Sequence, residues 1–124
     1  MRGLQQRLQW ALDAGVERER IVLDPGFGFG IILEQNYALL AGLGELIGLG
    51  QPLLAGVSRK TFLGRTLSPL YQGVDAPVGR RGNASLAAVT AAILAGSHLV
   101  RVHDVRPSRE AATIADAILA ASVS

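Results

Sequence analysis

Along the chain, apolar residues switch three times from helical spacing to a short strand-like run and back again. Leu4, Leu8 and Leu12 recur every four residues beside Ala11 and Val16, which predicts an amphipathic helix ending near Gly15. Ile21-Val22-Leu23 reads as a buried strand stopped by Asp24-Pro25-Gly26. A second helix is expected from Asn36, with Tyr37, Leu40, Leu43 and Ile47 on its apolar face. A second strand covers Leu53-Leu54-Ala55-Gly56-Val57, and Ser58 can cap a short helix through Phe62. Gly64 to Gly82, with Pro69, Gly73, Pro77 and Gly79, reads as a long loop. An alanine-rich helix follows from Ala84 to Ala95, then a strand, Leu99-Val100-Arg101-Val102. A last helix opens at Pro107-Ser108, with Ala111, Ile114, Ala115 and Ile118 as its buried stripe. The order α-β-α-β-α-β-α implies a parallel α/β sheet built from right-handed crossovers.

Composition narrows the function. With 124 residues and 49% hydrophobic, 18% charged and 5% aromatic residues, the chain can bury one core and is not a disordered segment. It has no cysteine, so it holds no disulfide, thiolate metal site or cysteine nucleophile. The net charge is +2, with no basic run interleaved with aromatics, which argues against nucleic acid as a partner. No apolar stretch approaches the ~18 residues that span a bilayer, so no membrane role is expected and the cytoplasm is the expected location.

Parallel strands place their C-terminal ends on one edge, where α/β proteins assemble their sites. Here the first strand ends in Asp24, the second in Ser58-Arg59-Lys60, and the third carries Arg101 and ends in His103-Asp104. Arg101 and His103, two residues apart, share a strand face opposite Val100 and Val102. Each has a plainer explanation. Asp24 before Pro25 can shape a turn, Lys60 can be a solvated helix residue, Arg101 can pair with Asp24 or Asp104, and His103 can be a satisfied turn histidine. His98 and Trp10 are assigned no ligand role. Gly26-x-Gly28-x-Gly30 is neither the G-x-G-x-x-G dinucleotide fingerprint nor a phosphate loop; its glycines suit close approach to a flat ligand beside Phe27 or Phe29. Two histidines and no cysteine make a zinc site a poor fit.

Three segments in this order resemble dihydropteroate synthase: Asp24-Pro25-Gly26-Phe27-Gly28-Phe29-Gly30, Leu54-Ala55-Gly56-Val57-Ser58-Arg59-Lys60, and Arg101-Val102-His103-Asp104-Val105. The resemblance implies a parallel-sheet (β/α)8 TIM-barrel fragment covering about the last three strand–helix units, since whole barrels need about 250 residues. It implies a transferase that condenses 6-hydroxymethyl-7,8-dihydropterin diphosphate with 4-aminobenzoate, giving dihydropteroate and diphosphate for folate synthesis. Asp24, Gly56, Lys60 and Arg101 would bind the pterin. Arg101 and His103 would bind the diphosphate. Phe29, Lys60 and Thr61 would border the 4-aminobenzoate. Magnesium would assist, its protein ligand lying outside this chain.

Two departures stand out. Ile31 takes a place that is commonly basic in the family, and Gly82-Asn83-Ala84-Ser85 fits the family's Gly-Ser helix start only loosely. The alternative expectation is a catalytically inactive truncated barrel that at most binds pterin or self-associates. A corrinoid-linked methyltransferase shares the barrel but fits Ser58-Arg59-Lys60 and Arg101-Val102-His103 less well. Parallel sheets need both faces covered, so the expected partner is a second copy or the missing barrel half, and the chain alone is expected to be inactive.

Overall fold

The computed structural model describes residues 2–28 and 33–122. Helix α1 spans Arg2–Asp13. Leu8 is buried and Leu4 and Leu12 pack against the core, while Trp10, off that stripe, is exposed. The charged Glu17–Arg20 segment is a 3-10 turn at Arg18–Arg20. Buried Gln51 ties it down: its Nε2 donates to Arg18 O at 2.7 Å and Ile21 O at 2.8 Å, and its Oε1 accepts from Arg18 Nη1 at 3.0 Å. That one amide aligns the entries of two neighbouring strands.

The strands are shorter than their apolar runs. From Ile21-Val22-Leu23 only Leu23 pairs, in a parallel bridge to Leu53. Pro25 and Pro52 lack N–H donors on the two paired segments, so the ladder does not run further in either direction. Strand β1 (Leu54–Ala55) pairs in parallel with β2 (Leu99–Val100), in the register Leu54 to Leu99 and Ala55 to Val100. Arg101 N–H to Ala55 O, at 3.1 Å, carries that register one residue on. Leu23, Leu53, Ala55 and Val57 are buried on one face, in a core with Leu43, Leu46, Val89 and Ala92. The other face carries Val22 and Leu99, each about half exposed. The sheet therefore has a covered face and an open one, and the polar strand ends continue the open one.

Helix α2 spans Leu33–Ala41, breaks at Gly42 and continues as a 3-10 helix, Leu43–Leu49. Asn36 is not its cap: it is buried inside the helix. Helix α3 spans Thr61–Thr66, starting after Lys60 rather than at Ser58. The segment read as a long loop is largely ordered into 3-10 turns at Ser68–Tyr71 and Val78–Arg80. Helices α4 (Gly82–Leu94) and α5 (Val105–Ser122) pack side by side. Ser85, Ala88 and Ala92 on α4 and Ser108 and Ala115 on α5 are buried, small residues that admit close approach. Ile114 and Ile118, expected on the buried stripe, are largely exposed.

Candidate functional site

The tip of β1 is held from three sides. Arg59 adopts a left-handed backbone, φ 57°, which turns the chain sharply between Ser58 and Lys60. Its N–H donates to Ser85 Oγ at 2.8 Å, its carbonyl accepts from Arg81 Nη1 at 3.0 Å, and its own Nη2 reaches Asp104 Oδ1 at 2.8 Å. The tip is thereby tied both to α4 and to the end of β2. Lys60, half-buried, runs along Gly28: a Cβ there would stand 3.2 Å from Lys60 Cδ. Gly28 has φ +81°, and its N–H donates to Asn36 Oδ1 at 2.8 Å. This glycine is needed both for its backbone angle and for the lysine stem that fills the space a side chain would take.

At the tip of β2, Arg101 and His103 are exposed while Val100 and Val102 are half-buried, so the face alternation expected of the strand continues beyond its pairing. Arg101 is not a buried cation. It sits past the last paired residue and forms no ion pair among the described residues; Asp104, one expected partner, is held by Arg59. His103 Nδ1 lies 2.9 Å from Ser58 Oγ, which also accepts from the His103 backbone N–H at 3.4 Å. The Ser58 hydroxyl, with two lone pairs and one proton, can serve both contacts at once and so orients the imidazole. Asp24 is exposed and shapes a turn, its Oδ1 accepting from Gly26 N–H at 2.8 Å. Its other oxygen makes no bond among the described residues.

Three cavities open at this edge. Gly56, Ser58, Lys60, Arg101 and His103 line one of about 200 Å³. Lys60 and Thr61, with Gly28, Asn36, Phe62 and Arg65, line a second of about 360 Å³. Asp24 lines a third of about 390 Å³, with Arg7, Pro25 and Leu46 among its walls. The structure thus brings Gly56, Lys60, Arg101 and His103 together, puts Thr61 beside Lys60, and leaves Asp24 on the neighbouring tip in a separate recess. Phe29 lies outside the described residues. Among the described residues no three His, Asp or Glu side chains cluster so as to hold a metal ion, so the magnesium implied by resemblance finds no ligand set there.

Residues assigned no ligand role have structural ones. His98 Nδ1 accepts from Leu53 N–H at 3.2 Å. Tyr37 packs edge-on against Phe62, ring centroids 5.3 Å apart, and its hydroxyl lies 2.6 Å from Thr66 Oγ1. The supporting roles of Asn36, Arg59, Arg81 and Ser85 are not evident from sequence. A positive backbone angle at an arginine leaves no compositional trace, and Arg81 and Ser85 act on Arg59 from 22 and 26 residues away.

Residues 2–103 match the family described as pterin binding enzyme. The chain belongs to that family. It is 42% identical to dihydropteroate synthase of Escherichia coli K12 over 108 residues, 87% of this chain and 36% of that protein. Dihydropteroate synthase of Coxiella burnetii, solved in complex with pteroic acid, superposes with a TM-score of 0.90 at 35% identity, covering 98% of this chain and 42% of that one. The Thermus thermophilus enzyme, solved with 4-aminobenzoate, gives a TM-score of 0.78 at 44% identity, covering 94% and 44%. The likeness is to portions of TIM barrels, and a half-covered parallel sheet, with Val22 and Leu99 half exposed on its open face, is what a portion of a barrel leaves. The chain spans just over a third of the length of the E. coli relative it matches. No helix among the described residues is long and apolar enough to cross a membrane.

Proposed function

We propose that this chain supplies the last three strand–helix units, the C-terminal portion, of a dihydropteroate synthase, a cytoplasmic transferase of folate synthesis. The observation that carries the reading is the single cavity shared by Gly56, Lys60, Arg101 and His103 at two neighbouring strand ends. The reaction joins the amine of 4-aminobenzoate to the methylene carbon of 6-hydroxymethyl-7,8-dihydropterin diphosphate. The carbon–oxygen bond breaks, diphosphate leaves, and the amine gives up one proton. Negative charge grows on the departing oxygen, and cations or N–H donors placed there stabilise it.

Arg101, with no ion pair among the described residues, and His103, oriented by Ser58, suit the diphosphate. Lys60 and Arg101 border the pterin, and Gly56 leaves room for a flat ring. Asp24, whose second carboxylate oxygen makes no bond among the described residues, would accept the pterin's N–H groups from the neighbouring strand tip. Thr61, beside Lys60 in the adjoining cavity, belongs with the 4-aminobenzoate, and Phe29 completes that side by resemblance. Magnesium belongs to the whole enzyme in this reading. A second copy, or the rest of the barrel, is the partner that closes the open face.

Calorimetric titration with 6-hydroxymethylpterin diphosphate tests the assignment. Arg101→Ala should weaken binding about tenfold or more, as expected for a lost hydrogen bond to a charged group, and His98→Ala should leave it within about twofold. Equal losses in the two variants would remove the site from this cavity.

A further inference from the structure

Two locally unfavourable features meet at the tip of β1. Arg59 holds a left-handed backbone, φ 57°, a strained state for any residue but glycine, and such strain persists only where its surroundings enforce it. Arg81 is 8% exposed and forms no ion pair among the described residues, although burying an unpaired charge is costly. It also occupies the N-cap position of α4, where short polar side chains are favoured and a cation opposes the helix dipole.

The two features are joined. Arg81 Nη1 donates to Arg59 O at 3.0 Å while its Nε donates to Ala76 O at 2.8 Å. Ser85 Oγ donates to Arg81 O at 2.6 Å and accepts from Arg59 N–H at 2.8 Å. Both backbone polar groups of Arg59 are therefore held from the start of α4. A planar guanidinium can fork between carbonyls on two separate segments, which an ammonium does poorly. Gly64 makes room for it: a Cβ there would stand 2.8 Å from Arg81 Cζ.

We propose that Arg81, seated over Gly64, is a positioning residue that locks Arg59 in its left-handed turn and so directs Lys60 across Gly28 toward Arg101 and His103. The inference rests on the proposed function for what Lys60 meets there; the clamp itself needs no ligand to be observed. Lys60 is the only lysine of the chain, so isotope-labelled lysine reports on this side chain alone in NMR spectra.

In the unsubstituted chain the Arg81 Nε–H should be protected from exchange, and Lys60 Cδ protons should show a cross-peak to Gly28. Arg81→Gln should abolish that cross-peak and shift the lysine signals toward those of free lysine. It should weaken 6-hydroxymethylpterin about tenfold or more, while inorganic diphosphate, held by Arg101 and His103, stays within about twofold. Gly64→Ala should act alike with Arg81 still present. A role in stability alone would weaken both ligands together and keep the Lys60–Gly28 contact.

The proposal is overturned if the Arg81 Nε–H exchanges freely in the unsubstituted chain, a result that needs no variant to fold. It is also overturned if both variants leave the Lys60 spectrum unchanged. If the unsubstituted chain binds neither ligand, loss of the cross-peak in variants that keep the chain's other NMR signals would uphold the clamp and reject the proposed function. Pterin binding that is unaffected by Arg81→Gln, with the cross-peak kept, would do the reverse.

Discussion

Gly28 and Gly15 make a matched pair for testing how the lysine is held. Both have positive φ, +81° and +94°, so alanine at either meets a left-handed backbone at a cost of about 1–2 kcal/mol. Their surroundings differ. At Gly15, past the end of α1, nothing lies within 4 Å of an added Cβ, whereas at Gly28 it would stand 3.2 Å from Lys60 Cδ and 3.9 Å from Cε and Cγ. The lysine stem must then move by a few tenths of an ångström. Since a misplacement of 1 Å costs about 10²-fold, that shift should cost roughly threefold to fivefold in affinity for a ligand held by Lys60. Urea denaturation should give Gly15→Ala and Gly28→Ala similar losses of stability, and calorimetry with 6-hydroxymethylpterin should show weaker binding for Gly28→Ala alone. Equal binding by both variants, with the stability loss in place, would refute the claim that the lysine's path over Gly28 matters.

Further substitutions probe the scaffold. Phe62→Ala should cost about 3–5 kcal/mol in denaturant, because this ring is 4% exposed and packs against both Phe27 and Tyr37. Ser97→Ala should cost about 1 kcal/mol, since its hydroxyl lies 2.7 Å from Leu99 O and 3.2 Å from Leu53 O and helps hold the two strands together. Asp104→Asn should change stability by no more than about 1 kcal/mol, its ion pair with Arg59 being roughly a third to two-fifths exposed. Sedimentation should show self-association of the chain on its own, given the half-exposed Val22 and Leu99 on its open sheet face; a cooperative, purely monomeric species would contradict this. The chain alone should form no dihydropteroate from the two substrates, and measurable product would overturn that expectation.

The alternation of helix and strand was legible because the core-facing residues keep their period: Leu4, Leu8 and Leu12 do pack inward, and Leu53, Ala55 and Val57 are fully buried. Strand length was not legible, because it depends on which donors and acceptors meet across strands: Pro25 and Pro52 each withhold an N–H on opposite sides of the Leu23–Leu53 bridge. The stripe of α5 was legible only in its small residues: Ala115 is buried as its spacing predicts, but closely packed helices select small side chains, so Ser108 is buried too and Ile114 is left 62% exposed. A pairing of Arg101 with Asp24 or Asp104 is a reasonable expectation from the strand alone, yet Arg101 stands exposed beyond the last paired residue, where the open edge needs no counter-ion. That reactive residues would gather at the strand ends followed from parallel topology alone. How Lys60 is aimed did not, because Arg59, Arg81 and Ser85 act through backbone groups brought together from distant parts of the chain.

The proposed function turns on a cavity at two strand tips whose cations meet a diphosphate. Its most direct test is the affinity difference between 6-hydroxymethylpterin diphosphate and 6-hydroxymethylpterin, measured by calorimetry on the unsubstituted chain and on Arg101→Ala. The unsubstituted chain should bind the diphosphate ester more tightly, and Arg101→Ala should lose most of that advantage. Equal affinities for the two pterins, or an advantage untouched by removing Arg101, would contradict it.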